Sequence, residues 1–340
     1  MLPRRLVAAL TTALLAGLAG CTTGAASGPT DEELVVYSGR NKNLVDPVLQ
    51  RFAKENGVKV YVRYGGTAEL AAQLLEEGER SPADVFFAQD AGALGAIAKA
   101  GQFEQLPART LDAVDERFRA RDGRWVGVSG RARVLAYDPR QVPEGKLPDS
   151  VLELTEPRWK GKVGFAPSNA SFQAFVTGMR KLLGDERTRA WLEGMKANDM
   201  KAYDNNVQVL DAVDSGELQL GLINHYYWFE KAAERGESNV HARIQFLGHG
   251  DPGALVNVAG VGVLAGSDHA DDARKLADYL LSDAAQRYFA DTTKEYPLVE
   301  GVPRVKGLPA IDSLGAPEID LADLDSLQET LRMLEEVGLT

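Results

Sequence analysis

Cysteine is almost absent from this 340-residue chain, and the single Cys21 excludes both an internal disulfide and a Cys-based zinc site. Only four histidines occur, His225, His241, His249 and His269, and none has metal-ligand spacing. There is no His-Glu-x-x-His and no P-loop. Gly127-Val128-Ser129-Gly130 lacks the spacing of a Gly-x-Ser-x-Gly nucleophile elbow. With these constellations missing, no enzymatic activity is expected. Basic residues are outnumbered, 38 Lys and Arg against 49 Asp and Glu. At a net charge of −11 and with no Lys/Arg cluster, nucleic acid is not an expected partner. Past residue 20, no apolar run approaches the ~20 residues of a membrane span. No internal repeat is visible.

What is present begins with a leader. Arg4 and Arg5 precede an apolar run from Leu6 to Gly20 that ends in small residues, the pattern of an export signal at 1–20. Leu18-Ala19-Gly20-Cys21 resembles the lipobox of bacterial lipoproteins, which implies cleavage before Cys21 and lipid on its thiol. A plain signal peptide cut a few residues later is the other reading. Residues 21–33 have little to bury and read as a flexible tether. The expected product is a soluble, monomeric domain outside the cytoplasm, held at the membrane by a lipid anchor only.

The remaining length suits two lobes, since single cores stop growing near ~250–300 residues. Leu34–Ser38, Val58–Tyr64 and Asp84–Phe87 read as strands separated by amphipathic helices, the alternation of a parallel α/β sheet. Asp90 and Thr67 are plausible helix caps. The pattern changes at Trp125, where two strands, 125–129 and 133–137, flank Ser129-Gly130-Arg131. A second α/β lobe follows, and the run Leu255–Leu264 returns the chain to the first. The fold class is therefore α/β, a two-lobe clamshell with two hinge crossings, each lobe a mixed, mostly parallel sheet flanked by helices. Lobe 1 takes 34–128 and 265–300, lobe 2 takes 129–264, and 301–340 is a C-terminal helical segment packed on a lobe.

One stretch stands out, Asn224-His225-Tyr226-Tyr227-Trp228-Phe229, where a buried strand runs into a helix. Ligands of open α/β folds bind at such carboxyl ends of strands. Adjacent helical residues point ~100° apart, so one tyrosine could be core and the other surface. Alternatively both serve a hard cation such as Fe³⁺, which prefers anionic oxygen and favours a deprotonated phenol. Asn169-Ala170-Ser171, Asn206 and Asn224 each stand at a strand-to-helix corner. They read either as ordinary N-caps or as an anion site built from exposed N–H groups.

From Leu34 to about Val305 the chain resembles the ferric iron-binding, substrate-binding proteins of bacterial ABC importers, whose fold is the type II periplasmic-binding-protein fold. The resemblance rests on Asn-His-Tyr-Tyr-Trp at 224–228, Val-Tyr-Ser-Gly-Arg-Asn at 36–41 and Ser-Pro-Ala-Asp-Val-Phe-Phe at 81–87. Ser-Gly-Arg-Ala-Arg-Val at 129–134 and Ala-Pro-Ser-Asn-Ala-Ser-Phe-Gln at 166–173 complete it. It implies Tyr226 and Tyr227 as Fe³⁺ ligands, with Tyr137 as a third. It implies a synergistic anion such as carbonate or phosphate at Asn169, Ala170, Ser171, Asn206 and Asn224, within reach of Arg131, and an ABC permease as partner. Asn41, Lys42 and Gln89 stand where some members carry His, Tyr or Glu ligands, so lobe 1 offers no obvious anionic ligand. The competing reading keeps the fold but binds another small solute, an anion, thiamine or a polyamine.

Overall fold

Short β-branched runs alternate with amphipathic stretches, and they fold as strands and helices in the same alternation. The structure, a computed structural model, describes residues 28–340; the leader, Cys21 and the tether through residue 27 lie outside the described residues. The first elements are β1 (Leu34–Ser38), α1 (Lys42–Asn56), β2 (Val60–Tyr64), α2 (Thr67–Glu77), β3 (Val85–Ala88) and α3 (Ala91–Lys99). Asp90 caps α3 by accepting from the Ala93 N–H, and Asn41 caps α1 by accepting from Asn43. Thr67 is not a cap: Gly66 holds that position. The buried Thr67 hydroxyl instead donates to the Gly39 carbonyl at 3.0 Å and accepts from the Gln89 N–H at 3.3 Å. It thereby ties together the loops that follow β1 and β3.

After the short α4 (Ala108–Leu111) comes β4 (Val126–Tyr137), twelve residues long and buried throughout. The two strands expected at 125–129 and 133–137 are thus one. Ser129-Gly130-Arg131 does not turn the chain, because an irregularity between Gly127 and Ser129 absorbs a residue without ending the pairing. The second half continues with β5 (Val163–Phe165), α5 (Ala170–Leu183), α6 (Asp185–Ala197), β6 (Lys201–Ala202), α7 (Asn206–Ser215), β7 (Leu220–Asn224), α8 (His225–Arg235) and β8 (Arg243–Gln245). Then follow β9 (Val256–Val263), α9 (Ala270–Leu280), α10 (Asp283–Asp291), β10 (Tyr296–Pro297) and α11 (Leu327–Val337).

The sheet is mixed. β1 lies between β2 and β3 in parallel, and β5 lies between β6 and β7 in parallel. Between these groups run β9 and β4, antiparallel to their neighbours. β4 belongs to both halves: residues 126–132 pair with β9, residues 133–137 with β7, and 135–137 also with β8. The whole of β9 lies beside β3 or β4 in the first half, so the pairing changes at Arg133 and before Val256 rather than at 129 and 264.

Alternation along β4 distributes its side chains between two cores. Leu135 and Tyr137 join Phe172, Phe175, Trp191 and Leu334 under α5, α6 and α11, while Val134 and Ala136 join Val209, Val213 and Trp228 under α7 and α8. The C-terminal segment contributes to both halves. Leu321 and Leu324 enter the first core, and Met333, Leu334 and Val337 the second. Arg180 of α5 secures this segment by donating to the Ser326 carbonyl at 3.0 Å and the Thr330 hydroxyl at 2.9 Å. Among the described residues, no helix is long and apolar enough to cross a membrane.

Candidate metal and anion site

β7 passes directly into α8, which brings Asn224, His225, Tyr226 and Tyr227 to the carboxyl end of a parallel group of strands. Asn224 occupies the N-cap position without capping; its Oδ1 accepts from Arg133 Nη1 at 3.3 Å. The two tyrosine rings lie side by side, centroids 4.1 Å apart and planes 33° from parallel. Tyr226 is buried and Tyr227 half-buried. Burial, then the neighbouring Tyr227, pushes the Tyr226 hydroxyl well above its ordinary pKa, against the pull of Arg131 and Arg40. At neutral pH Tyr226 therefore keeps its proton.

His225 fixes this corner from within. Its Nδ1 accepts from the Ala132 N–H of β4 at 3.1 Å, which leaves Nε2–H to donate to the Lys294 carbonyl at 3.0 Å. Burial lowers its pKa to about 4, so the ring stays neutral and both bonds persist at physiological pH. Lys294 adopts φ 59°, a left-handed conformation uncommon for a residue with a side chain. His225 thus joins α8 to β4 and to the segment before β10.

Ser171 is the node of a second group. Its hydroxyl donates to Asn169 Oδ1 at 2.6 Å and faces Asn206 Nδ2 and Arg133 Nη1, each at 3.4 Å. Asn169, Ser171, Asn206 and Asn224 are thus brought together, with Ala170 opening α5 between the first two. Arg133 lies over the Phe175 ring, 5.3 Å from its centroid. Burial lowers its pKa to about 10, which leaves it a cation at neutral pH. Arg133 Nε and Nη2 and Asn206 Oδ1 are buried without partners. The group therefore presents mostly unused donors, the requirement of an anion site.

A third group lies on the first half's side of the tyrosines. Arg40, in the loop after β1, donates through Nη2 to both carboxylate oxygens of Glu295 at 2.9 and 2.7 Å. Arg131 joins this group rather than the Ser171 group, with Nε 3.8 Å from Glu295 Oε1. Burial lowers the Arg131 pKa, whereas at Arg40 the same penalty is outweighed by Glu295. Arg40 Nε and Arg131 Nε and Nη1 have no partner. Three buried guanidiniums and one fully buried carboxylate thus act electrostatically on the tyrosine pair. Among the described residues no three His, Cys, Asp or Glu side chains gather as a metal cluster, so the phenols are the distinctive hard donors.

Tyr137 is not brought to this site. It pairs with Leu220 at the start of β7, whereas the corner residue Asn224 pairs with Arg133. The four-residue offset along a strand is roughly 13 Å. Its hydroxyl donates to Glu144 at 3.2 Å and its ring belongs to the second core. Asn41 and Gln89 are occupied locally, the first as the α1 cap and the second bonded through its N–H to Thr67. Arg40, Arg133 and Glu295 are site residues that the sequence reading did not single out. Arg133 had a signal, since it lies two residues from Arg131 on the same face of a strand. Glu295 had none, because an acidic residue beside Lys294 and before Tyr296-Pro297 looks like any solvated loop.

One prediction tests the role of His225. His225→Ala leaves a buried N–H and a buried carbonyl without partners, so chemical denaturation should show a loss of about 2–4 kcal/mol. A change under about 0.5 kcal/mol would mean that these bonds do not hold the corner.

Known proteins of related sequence share this fold. Residues 80–310 match the family model described as bacterial extracellular solute-binding protein. The Fe(3+)-binding periplasmic protein of Serratia marcescens is 36% identical over 96% of each chain. Iron-bound HitA from Pseudomonas aeruginosa superposes with a TM-score of 0.85 at 36% identity, covering 90% of this chain and 99% of that one. An iron and citrate complex of the Trichodesmium protein IdiA (FutA) superposes with a TM-score of 0.74 at 26% identity, covering 91% and 100%. The fold is that of type II periplasmic binding proteins, and the relatives are iron-binding transport proteins rather than enzymes. The chain belongs to the bacterial extracellular solute-binding proteins, among their periplasmic ferric iron-binding members.

Proposed function

We propose that this protein captures Fe³⁺ through the phenolates of Tyr226 and Tyr227 together with a synergistic anion, and hands the ion to an ABC permease. The observation that carries the reading is the tyrosine pair, 4.1 Å between centroids, set among three buried guanidiniums with unused N–H groups. Phenolates suit a hard trivalent cation, and deprotonating two of them offsets two of its three charges. The ion with its two phenolates still adds a positive charge to a site that already holds Arg40, Arg131 and Arg133. A multiply charged anion, carbonate, phosphate or a carboxylate such as citrate, would offset that excess. Asn169, Ala170, Ser171, Asn206, Asn224 and Arg133 are its proposed cradle, with Arg131 on the facing side. The same cationic surroundings argue against thiamine or a polyamine as the solute.

Two lobes closing on the site by a hinge at β4 and β9 would bring Arg40 and Arg131 over the anion. The chain is proposed to work as an extracytoplasmic lipoprotein, anchored by lipid on Cys21. Replacing that residue, Cys21→Ser, is expected to move the protein from the membrane to the soluble fraction; retention at the membrane would count against the anchor.

Ferric titration of the mature domain in bicarbonate should produce a visible phenolate-to-iron charge-transfer band. Tyr226→Phe with Tyr227→Phe should abolish it, and an unchanged band would refute phenolate ligation. Acid should release the iron, because each ligating phenol must lose a proton that burial holds tightly at Tyr226. With two protons displaced, affinity should fall by up to roughly a hundredfold per pH unit. A flat profile between pH 7 and 5 would contradict this chemistry.

A further inference from the structure

We infer that Glu295 is the residue that sets the net charge of the cleft, and with it the charge the anion must bring; this rests on the iron reading above. Glu295 is fully buried, and its carboxylate is held on both oxygens by Arg40 and on Oε2 also by the Thr293 hydroxyl at 2.9 Å. It is contributed by the segment just before β10, whose preceding carbonyl, at Lys294, receives the His225 bond. The same segment therefore fixes both the tyrosine corner and the counter-charge beside it.

The consequence follows from counting charges. Among the described residues Glu295 is bonded to Arg40, so the excess cations beside the tyrosines are Arg131 and Arg133, with Asp90 before α3 opposing Arg131. Arg131 is at 3.8 Å from Glu295, too far for a hydrogen bond, and keeps its Nε and Nη1 unused. Iron with two phenolates adds one positive charge, so the loaded site is about two charges positive before the anion. A dianion balances it. Without Glu295 the excess would be three, which favours a more highly charged anion and opposes the metal.

The two binding steps therefore respond to Glu295 with opposite signs. In Glu295→Gln the apo protein should bind phosphate alone about tenfold more tightly, and at saturating phosphate it should bind Fe³⁺ about tenfold more weakly. A merely structural role would weaken both or neither. Isothermal titration with phosphate and competition for Fe³⁺ against a calibrated chelator read the two steps separately. The double variant Arg40→Gln/Glu295→Gln restores the wild-type net charge while removing a guanidinium from the site, so the opposite-signed pair of shifts should vanish and both affinities should change in the same direction. If the single variant does not fold, the double variant decides, and phosphate and Fe³⁺ affinities that move in opposite directions in it overturn the inference. Equal or same-signed changes in a folded Glu295→Gln also overturn it. Wild-type protein that gives no phenolate band would instead defeat the iron reading, whatever Glu295 does.

Discussion

Burying three guanidiniums next to two phenols is the constraint from which the rest of this architecture follows. A buried charge costs several kcal/mol unless it is paired and hydrogen-bonded. Here one carboxylate, Glu295, accepts on both oxygens from Arg40 Nη2, and Arg40, Arg131 and Arg133 all keep unused N–H groups. Such an arrangement is unfavourable in isolation and makes sense as a site whose charge balance is completed by what it binds. A phenol is suited to that purpose because it is neutral in free form at physiological pH and becomes anionic when it ligates a hard cation. A carboxylate pair in their place would have satisfied the arginines permanently and closed the site.

The fold supplies this constellation with few elements. β4 runs unbroken through both halves, and its alternation puts Arg131 and Arg133 on one face while Val134 and Ala136 fill the core behind. The corner between β7 and α8 delivers the tyrosines beside Arg133, because Asn224 and Arg133 are paired across the two strands. His225, neutral and bonded at both nitrogens, holds that corner to β4 and to the Glu295 segment. Residues from the loop after β1, from β4, from α8 and from the segment before β10 thus meet with little freedom to drift. Rigid placement on strand ends is what a site for a small ion requires.

Much of this was legible in the sequence, and what was missed has identifiable causes. The tyrosine corner announced itself through an apolar strand ending in Asn224 and two aromatic residues, and the Asn and Ser residues at strand-to-helix corners were recognisable one by one. Strand register was not legible. Tyr137 lies on a strand that does reach the site, but it points into the core four residues from the end that matters, and no local pattern distinguishes the two ends. The continuity of β4 was hidden for a related reason, since Ser129-Gly130 has the composition of a turn but is held in the sheet by β9 and β10. Charged partners brought together across 255 residues, Arg40 and Glu295, leave no trace in composition or periodicity.

The central claim is that two phenolates and a non-protein anion, with no protein carboxylate, hold the metal. Anomalous diffraction at the iron edge from crystals of the loaded protein tests it most directly. One iron peak is expected in bonding contact with the hydroxyl oxygens of both Tyr226 and Tyr227, with an anion between the metal and the Ser171, Asn206 and Arg133 group. An iron peak bound by Glu295 or Tyr137, or one away from the tyrosine pair, would contradict it.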